Sequence, residues 1–198
     1  SINNKDYTMK KILMGIATLS FSSALLAELS YTNVGIGYRT SDADGVDASG
    51  IRLRGSAAIN DASFIFGSYT DGEFDDAPID ITGVNLGLGV NTPISEVTDL
   101  VATFEISDGE IEGLGERIDV SGYSISLGLR SEISDVVEIQ ASVAHVDIEL
   151  ELLGLTEDAT DTIFSVSALF DVSDTVQLSA GLSSGDADTL DFGVRFNL

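Results

Sequence analysis

His145 is the only histidine of the chain, so it is the first residue to consider for acid–base chemistry. A histidine that activates a nucleophile needs a hydroxyl or carboxyl partner within hydrogen-bond reach. No serine neighbours His145, and only Val146 and Asp147 follow it. It also continues an apolar series on one face of an alternating run, namely Val137, Ile139, Ala141 and Val143. We therefore expect His145 to be a rim residue and the protein not to be an enzyme.

Acidic segments are the second candidate for chemistry. Asp42, Asp44 and Asp47 surround Gly45 with the alternate spacing that could wrap a calcium ion, and residues 71–76 and 186–188 are similar. A full calcium loop needs further ligands, usually a bidentate glutamate at a set distance, and none follows here. We interpret these segments as solvated and predict neither a specific metal site nor a cofactor.

The charge and the cysteine count exclude several classes of function. The chain has a formal net charge of −24, with 33 acidic residues and 9 lysines and arginines. Binding to nucleic acid draws on clustered lysine and arginine, so nucleic acid is not an expected partner. Cysteine is absent, which excludes disulfides, thiolate chemistry and cysteine-ligated zinc.

The N-terminal region has the form of an export signal. Residues 1–8 precede Met9 and are read as an upstream extension, and residues 9–27 form a signal peptide with basic Lys10 and Lys11, then an apolar stretch. Cleavage is expected after Ala27, with Ala24 as the alternative. At about 15 residues the apolar stretch is shorter than the roughly 20 that a transmembrane helix needs. The mature domain, residues 28–198, then has no lysine and a charge of −26, because three lysines and one aspartate are removed.

The mature part consists of short runs in which apolar and polar residues alternate, a period typical of strands. We count ten such runs, from the one containing Val34, Ile36 and Tyr38 to the one containing Phe192, Val194 and Phe196. Tight links at residues 60–61, 93–99, 131–135 and 171–174 alternate with longer acidic links. The longer links, expected outside the cell, are residues 40–49, 70–79, 108–119, 149–161 and 184–188.

A repeated tripeptide supports a hairpin as the building unit. Ile94-Ser95-Glu96, Ile133-Ser134-Asp135 and Val172-Ser173-Asp174 recur at a spacing of 39 residues. Each period spans two strands with one long and one tight connection, and growth by hairpins gives an even number of strands.

The chemistry of the polar face favours a membrane barrel over a soluble one. It consists mostly of Gly, Ser, Thr and Asn, whereas a soluble surface normally carries lysine and many more charges. Each run spans about 8–11 residues, enough for a tilted strand to cross a bilayer. The apolar face continues to Leu198, so we expect the last strand to pair with the first, because an open sheet edge in lipid leaves backbone groups unsatisfied.

We expect most aromatic residues to form two girdles on the outside of this barrel, at the membrane interfaces. They are Tyr31, Tyr38, Phe64, Phe66, Tyr69, Phe104, Tyr123, Phe164, Phe170, Phe192 and Phe196.

Strand parity places five of the six mature arginines on the inner face together with three carboxylates. Isolated charges there would be costly, so opposite charges should converge into two layers. The predicted lumen charge network is Arg39, Arg52, Arg54, Glu105, Arg130, Glu138, Asp191 and Arg195.

Four stretches of the sequence are similar to the small opacity-type, OmpA-like outer-membrane β-barrel proteins of Gram-negative bacteria. They are ELSYTNVGIGY, LRGSAAINDASFIFGSYTD, LGLGVNTPISEVTDLVATFE and DFGVRFNL. The resemblance implies an all-β fold, a transmembrane antiparallel up-and-down barrel in the bacterial outer membrane. The chain departs from the usual pattern in ending with Leu198 in place of an aromatic residue, and in reading as ten strands where eight are common.

The fold and its charges together lead to an expectation about role. We expect a monomeric barrel with a structural or surface-interaction role and a largely occluded lumen, and a small passive pore is the alternative. Expected partners are outer-membrane lipid, lipopolysaccharide and, through the C-terminal strand, the barrel-assembly machinery. Divalent cations associated with lipopolysaccharide phosphates are an intermediate interpretation of the acidic segments.

Overall fold

The computed structural model describes residues 31–43, 45–113, 115–152 and 155–198. The predicted upstream extension and signal peptide, residues 1–8 and 9–27, lie outside this part of the chain. Within the described ranges, no helix is long and apolar enough to cross a membrane.

Ten antiparallel strands form one closed barrel, which confirms the predicted fold class and strand number. Each strand pairs with its neighbours in the chain, and the first pairs with the last through a register that includes Val34 with Phe196 and Asp42 with Asp188. The strands are β1 (Asn33–Asp42), β2 (Asp47–Asn60), β3 (Ser63–Phe74), β4 (Ile79–Pro93), β5 (Thr98–Gly113), β6 (Glu116–Ser134), β7 (Val137–Leu152), β8 (Leu155–Ser173), β9 (Val176–Ser184) and β10 (Asp188–Asn197).

The alternation of side chains explains why these segments are strands in a closed sheet. In β1, Val34, Ile36 and Tyr38 are about half exposed on the outer surface, whereas Arg39 points inward and is 2% exposed. The same pattern continues around the barrel, so that its outer surface carries a continuous apolar band. Such a band around a polar interior is typical of transmembrane barrels.

The two ends of the barrel differ in how their hairpins close. We call the end with the four tight turns, residues 61–62, 94–97, 135–136 and 174–175, the lower end. The other end, with the acidic hairpin tips, is the upper end. Ser95, Ser134 and Ser173 are the equivalent serines of the 39-residue repeat. Their hydroxyls accept hydrogen bonds from the backbone N–H two residues later, which gives the repeated tripeptide its structural role in the tight turn.

The acidic segments at the upper end are mainly strand, so the prediction of long loops there was wrong. β7 and β8 are separated by two residues only, and so are β5 and β6. Beyond the apolar band, Asp147 and Glu149 point outward and Val146 and Ile148 point inward, so the apolar side of the strand changes from the outer to the inner face. We call these extensions, residues 71–80, 108–120 and 145–162, the outer collar.

Candidate functional site

Two arginines and two carboxylates face each other in the middle of the barrel. Arg39 donates from Nε and Nη2 to Oδ2 of Asp191, at 3.2 and 3.0 Å. Glu105 is 1% exposed on β5, and the charges of Arg52 and Arg39 act on it. β1 and β10 place the first pair directly opposite each other, because Arg39 and Asp191 are register partners.

Two further arginines of β2 and β10 complete this central layer. Arg54 donates to the hydroxyl of Ser179 at 2.7 Å, and Arg52 donates to that of Ser68 at 2.9 Å. Arg195 is fully buried on β10. The layer therefore draws its cations from three strands that are adjacent in the barrel wall.

A second network lies at the lower end of the lumen. Arg130 binds both oxygens of Glu138, at 2.5 and 3.0 Å, and Gln140 donates to the same carboxylate at 2.8 Å. The guanidinium of Arg130 also lies 5.5 Å from the ring centroid of Tyr31, whose hydroxyl donates to Asp99. Two parallel hydrogen bonds between Arg and a carboxylate fix the geometry as well as the charge.

Three aromatic residues lie inside the barrel, so their predicted place in the outer girdles was wrong. Tyr31 stacks on Phe64 with ring centroids 4.6 Å apart, and Phe66 packs beside Phe64. These rings occupy the space that side chains at Gly89 and Gly87 of β4 would fill, because a Cβ at either glycine would overlap Phe64 or Phe66. With Val101 they form the aromatic layer at the lower end. The sequence signal was parity, since Phe64 and Phe66 share a face with Ser68 and Thr70.

An apolar cluster fills the lumen at the upper end, and the sequence reasoning did not find it. We call it the apolar cap: Ala48, Phe74, Ile81, Ile111, Val120, Ala144, Val146, Ile148, Leu150 and Ile163. Its members come from the upper ends of β2 to β8. The cap therefore sits above the central layer of charges, and the aromatic layer lies below it.

A small cavity of about 60 Å³ remains between the apolar cap and the aromatic layer. Of the described residues that line this central chamber, four are arginines and one is a carboxylate: Arg39, Arg52, Arg54, Arg195 and Asp191. A space of this size accommodates a few water molecules.

The other candidate residues are separate from the lumen. His145 is exposed on the outer face of β7, between Ile125 and Thr162 of the neighbouring strands. In the acidic hairpin tip between β1 and β2, a hydrogen bond with Asp42 raises the pKa of Asp47 above its usual value. Among the described residues, no group of three His, Asp or Glu side chains is arranged to hold a metal ion.

A family model described as "Outer membrane protein beta-barrel domain" matches residues 13–181 of the chain. The chain belongs to this family. It is therefore a protein of the bacterial outer membrane, and the apolar band of its barrel is its lipid-facing surface. No curated protein matches the sequence.

Solved structures of outer-membrane β-barrels share the fold at low sequence identity. An outer membrane channel from Pseudomonas putida F1 is 11% identical with a TM-score of 0.55, covering 89% of this chain and 98% of its own. The KdgM porin is 12% identical with a TM-score of 0.47, at coverages of 83% and 99%. Ail, the attachment invasion locus protein of Yersinia pestis, is 16% identical with a TM-score of 0.43, at coverages of 83% and 97%.

Proposed function

We propose that this barrel has a structural or surface-interaction role in the outer membrane and does not conduct solutes through its lumen. The observation that carries the proposal is the filling of the lumen by three successive layers. The apolar cap, the central charges and the aromatic layer leave a cavity of about 60 Å³ between them. A barrel of eight strands is already filled by side chains, and ten strands make it only slightly wider.

The outer collar is the surface that we propose for interaction. Its outward side chains include Asp147, Glu149, Asp119 and Glu112, which are exposed or half-exposed on strands and not on loops. We propose that the upper end faces the outside of the cell. The collar would then stand among lipopolysaccharide headgroups, where divalent cations could link its carboxylates to phosphates.

Three further points complete the proposal. The barrel acts as a monomer in outer-membrane lipid, and its last strand is the part that the assembly machinery engages. We assign no catalytic role, since His145 lies on the outer face and pairs in register with Ile125 and Thr162.

A small passive pore is the second candidate. The charged lining of the central chamber favours it, and the Pseudomonas putida barrel of the same fold is described as a channel. Under the pore hypothesis, water fills the lumen and the same charges line the path of the solute.

Conductance in planar lipid bilayers distinguishes the two candidates. The wild-type barrel, shown to be folded by its heat-modifiable gel mobility, should give little or no current. A variant with Arg52→Ala, Arg54→Ala and Ile148→Ala removes side chains from two layers and should leak. Arg117→Ala, a change on the outside of the barrel, is the matched control and should stay closed. Stable, high conductance from the wild type would reject the closed barrel in favour of the pore.

A further inference from the structure

The charges that face the lumen do not balance. The five arginines Arg39, Arg52, Arg54, Arg130 and Arg195 share the interior with four carboxylates: Asp99, Glu105, Glu138 and Asp191. The lower network holds one arginine and two of the carboxylates, so the excess of positive charge is concentrated around the central chamber.

An excess charge is costly in this position because the chamber is separated from bulk water by apolar layers. The apolar cap lies above it and the aromatic layer below it. Moving an ion from water into such surroundings costs several kcal/mol even after relaxation, unless an opposite charge accompanies it. This step rests on the closed lumen of the proposed function, because water in an open pore would screen the same charges.

Two hydrogen-bond donors border the chamber without a partner among the described residues. They are Nε of Arg54 and the hydroxyl of Ser165, and both atoms are buried. A guanidinium N–H has no acceptor capacity, so only an acceptor or an anion can satisfy it. The cavity of about 60 Å³ has room for one small ion together with water.

We propose that the central chamber binds one small monovalent anion, of the size and charge of chloride, as a counter-ion to its arginines. The anion is held by the charge of the surrounding guanidinium groups and by the donors of Arg54 and Ser165. One such ion brings the lumen to electrical balance. The anion is therefore part of the folded barrel, and its removal weakens the folded state.

The test uses bromide as the probe, because it is close to chloride in size and charge. The unfolding temperature of the purified barrel in detergent is measured by gel mobility, as sodium gluconate is replaced by sodium bromide at constant ionic strength. Gluconate is too large for the chamber. The wild type should become more stable with bromide and saturate as a single site. At a hundredfold excess over the dissociation constant, the ratio of folded to unfolded protein should rise about a hundredfold.

Three variants make the test specific. Arg54→Gln leaves four arginines and four carboxylates, so its stability should no longer depend on bromide. Glu105→Gln raises the excess to two charges and should bind bromide more tightly than the wild type. Arg117→Gln removes an arginine that is paired with Glu110 and Asp119 on the outside, and should behave as the wild type. If Arg54→Gln does not fold, the comparison of Glu105→Gln with Arg117→Gln still decides.

The outcomes separate this inference from the proposed function when conductance is measured on the same sample. Low conductance with a bromide effect that Arg117→Gln keeps and Arg54→Gln loses supports the anion site. Low conductance with no bromide effect, or an effect that Arg54→Gln keeps in full, overturns the anion site and leaves the closed barrel intact. High conductance overturns the closed barrel itself.

Discussion

The ion pair of Arg130 and Glu138 shows how much a single contact contributes inside this barrel. Both side chains are buried, and the carboxylate also accepts a hydrogen bond from Gln140. Removing one member leaves the other charge buried without compensation, which typically costs about 3–5 kcal/mol. We therefore expect Glu138→Gln to lower the free energy of unfolding by an amount in this range, as measured by urea unfolding of the barrel in lipid vesicles.

Arg117 provides the control for this prediction. It forms ion pairs with Glu110 and Asp119, but its side chain and that of Asp119 are more than half exposed. Exposed pairs contribute about 0–1 kcal/mol, so Arg117→Gln should change the stability little. Equal losses in the two variants would contradict the role assigned to burial.

Gly89 is a second residue at which the structure makes a definite prediction. A methyl group there would overlap the ring of Phe64, which is fully buried and stacked on Tyr31. Overpacking of this kind typically costs about 1–3 kcal/mol. We expect Gly89→Ala to lose stability by this amount, and the added change Phe64→Leu to restore part of it.

Gly55 is the matched control for Gly89. A Cβ at Gly55 would meet only ordinary contacts, the nearest of them the carbonyl oxygen of Asn33 at 3.6 Å. Gly55→Ala should therefore be close to the wild type in the same unfolding assay. A Gly89→Ala barrel as stable as Gly55→Ala would show that the aromatic layer is not tightly packed.

At the scale of the strand, the period of alternation was predictable and its sense was not. Val84, Leu86 and Leu88 of β4 alternate on the lipid-facing side, and this regular pattern was enough to locate the strand. Above them, Ile81 belongs to the opposite face and enters the apolar cap. Period 2 is the same in both parts. Many Asp, Glu and Thr residues made the outer collar look like loops, although its apolar residues keep the alternation of a strand.

The closing strand pair gives a prediction at the same scale. Phe196 pairs with Val34 on the outer surface, and Asn197 pairs with Asn33, so these residues complete the ladder between β10 and β1. Deleting residues 196–198 opens that ladder at its lower end, and unsatisfied backbone groups in lipid are costly. We expect the truncated chain to insert poorly, as measured by heat-modifiable gel mobility of the membrane fraction. Leu198→Phe keeps the ladder and should insert as well as the wild type, and normal insertion of the truncated chain would contradict this account.

At the scale of the whole molecule, strand parity assigned faces to residues but not contacts between them. Parity was enough to place Arg39, Arg52 and Glu105 on one face of the sheet. The partner of each arginine depends on the register between strands that are far apart in sequence, as with Arg39 and Asp191. The apolar cap depends in the same way on how seven strands converge at the upper end, so it became visible only in the closed barrel.

The most direct test of the closed lumen uses the absence of cysteine from the chain, since a single introduced cysteine is then a unique label site. Ser165→Cys places a thiol on the wall of the central chamber, and Ser184→Cys places one on the exposed upper end of β9. Both are treated with a small, charged, thiol-specific reagent in the folded barrel and after unfolding. The account predicts rapid labelling at residue 184, and labelling at residue 165 only after unfolding. Equal labelling rates at the two positions in the folded barrel would contradict a lumen closed by the apolar cap and the aromatic layer.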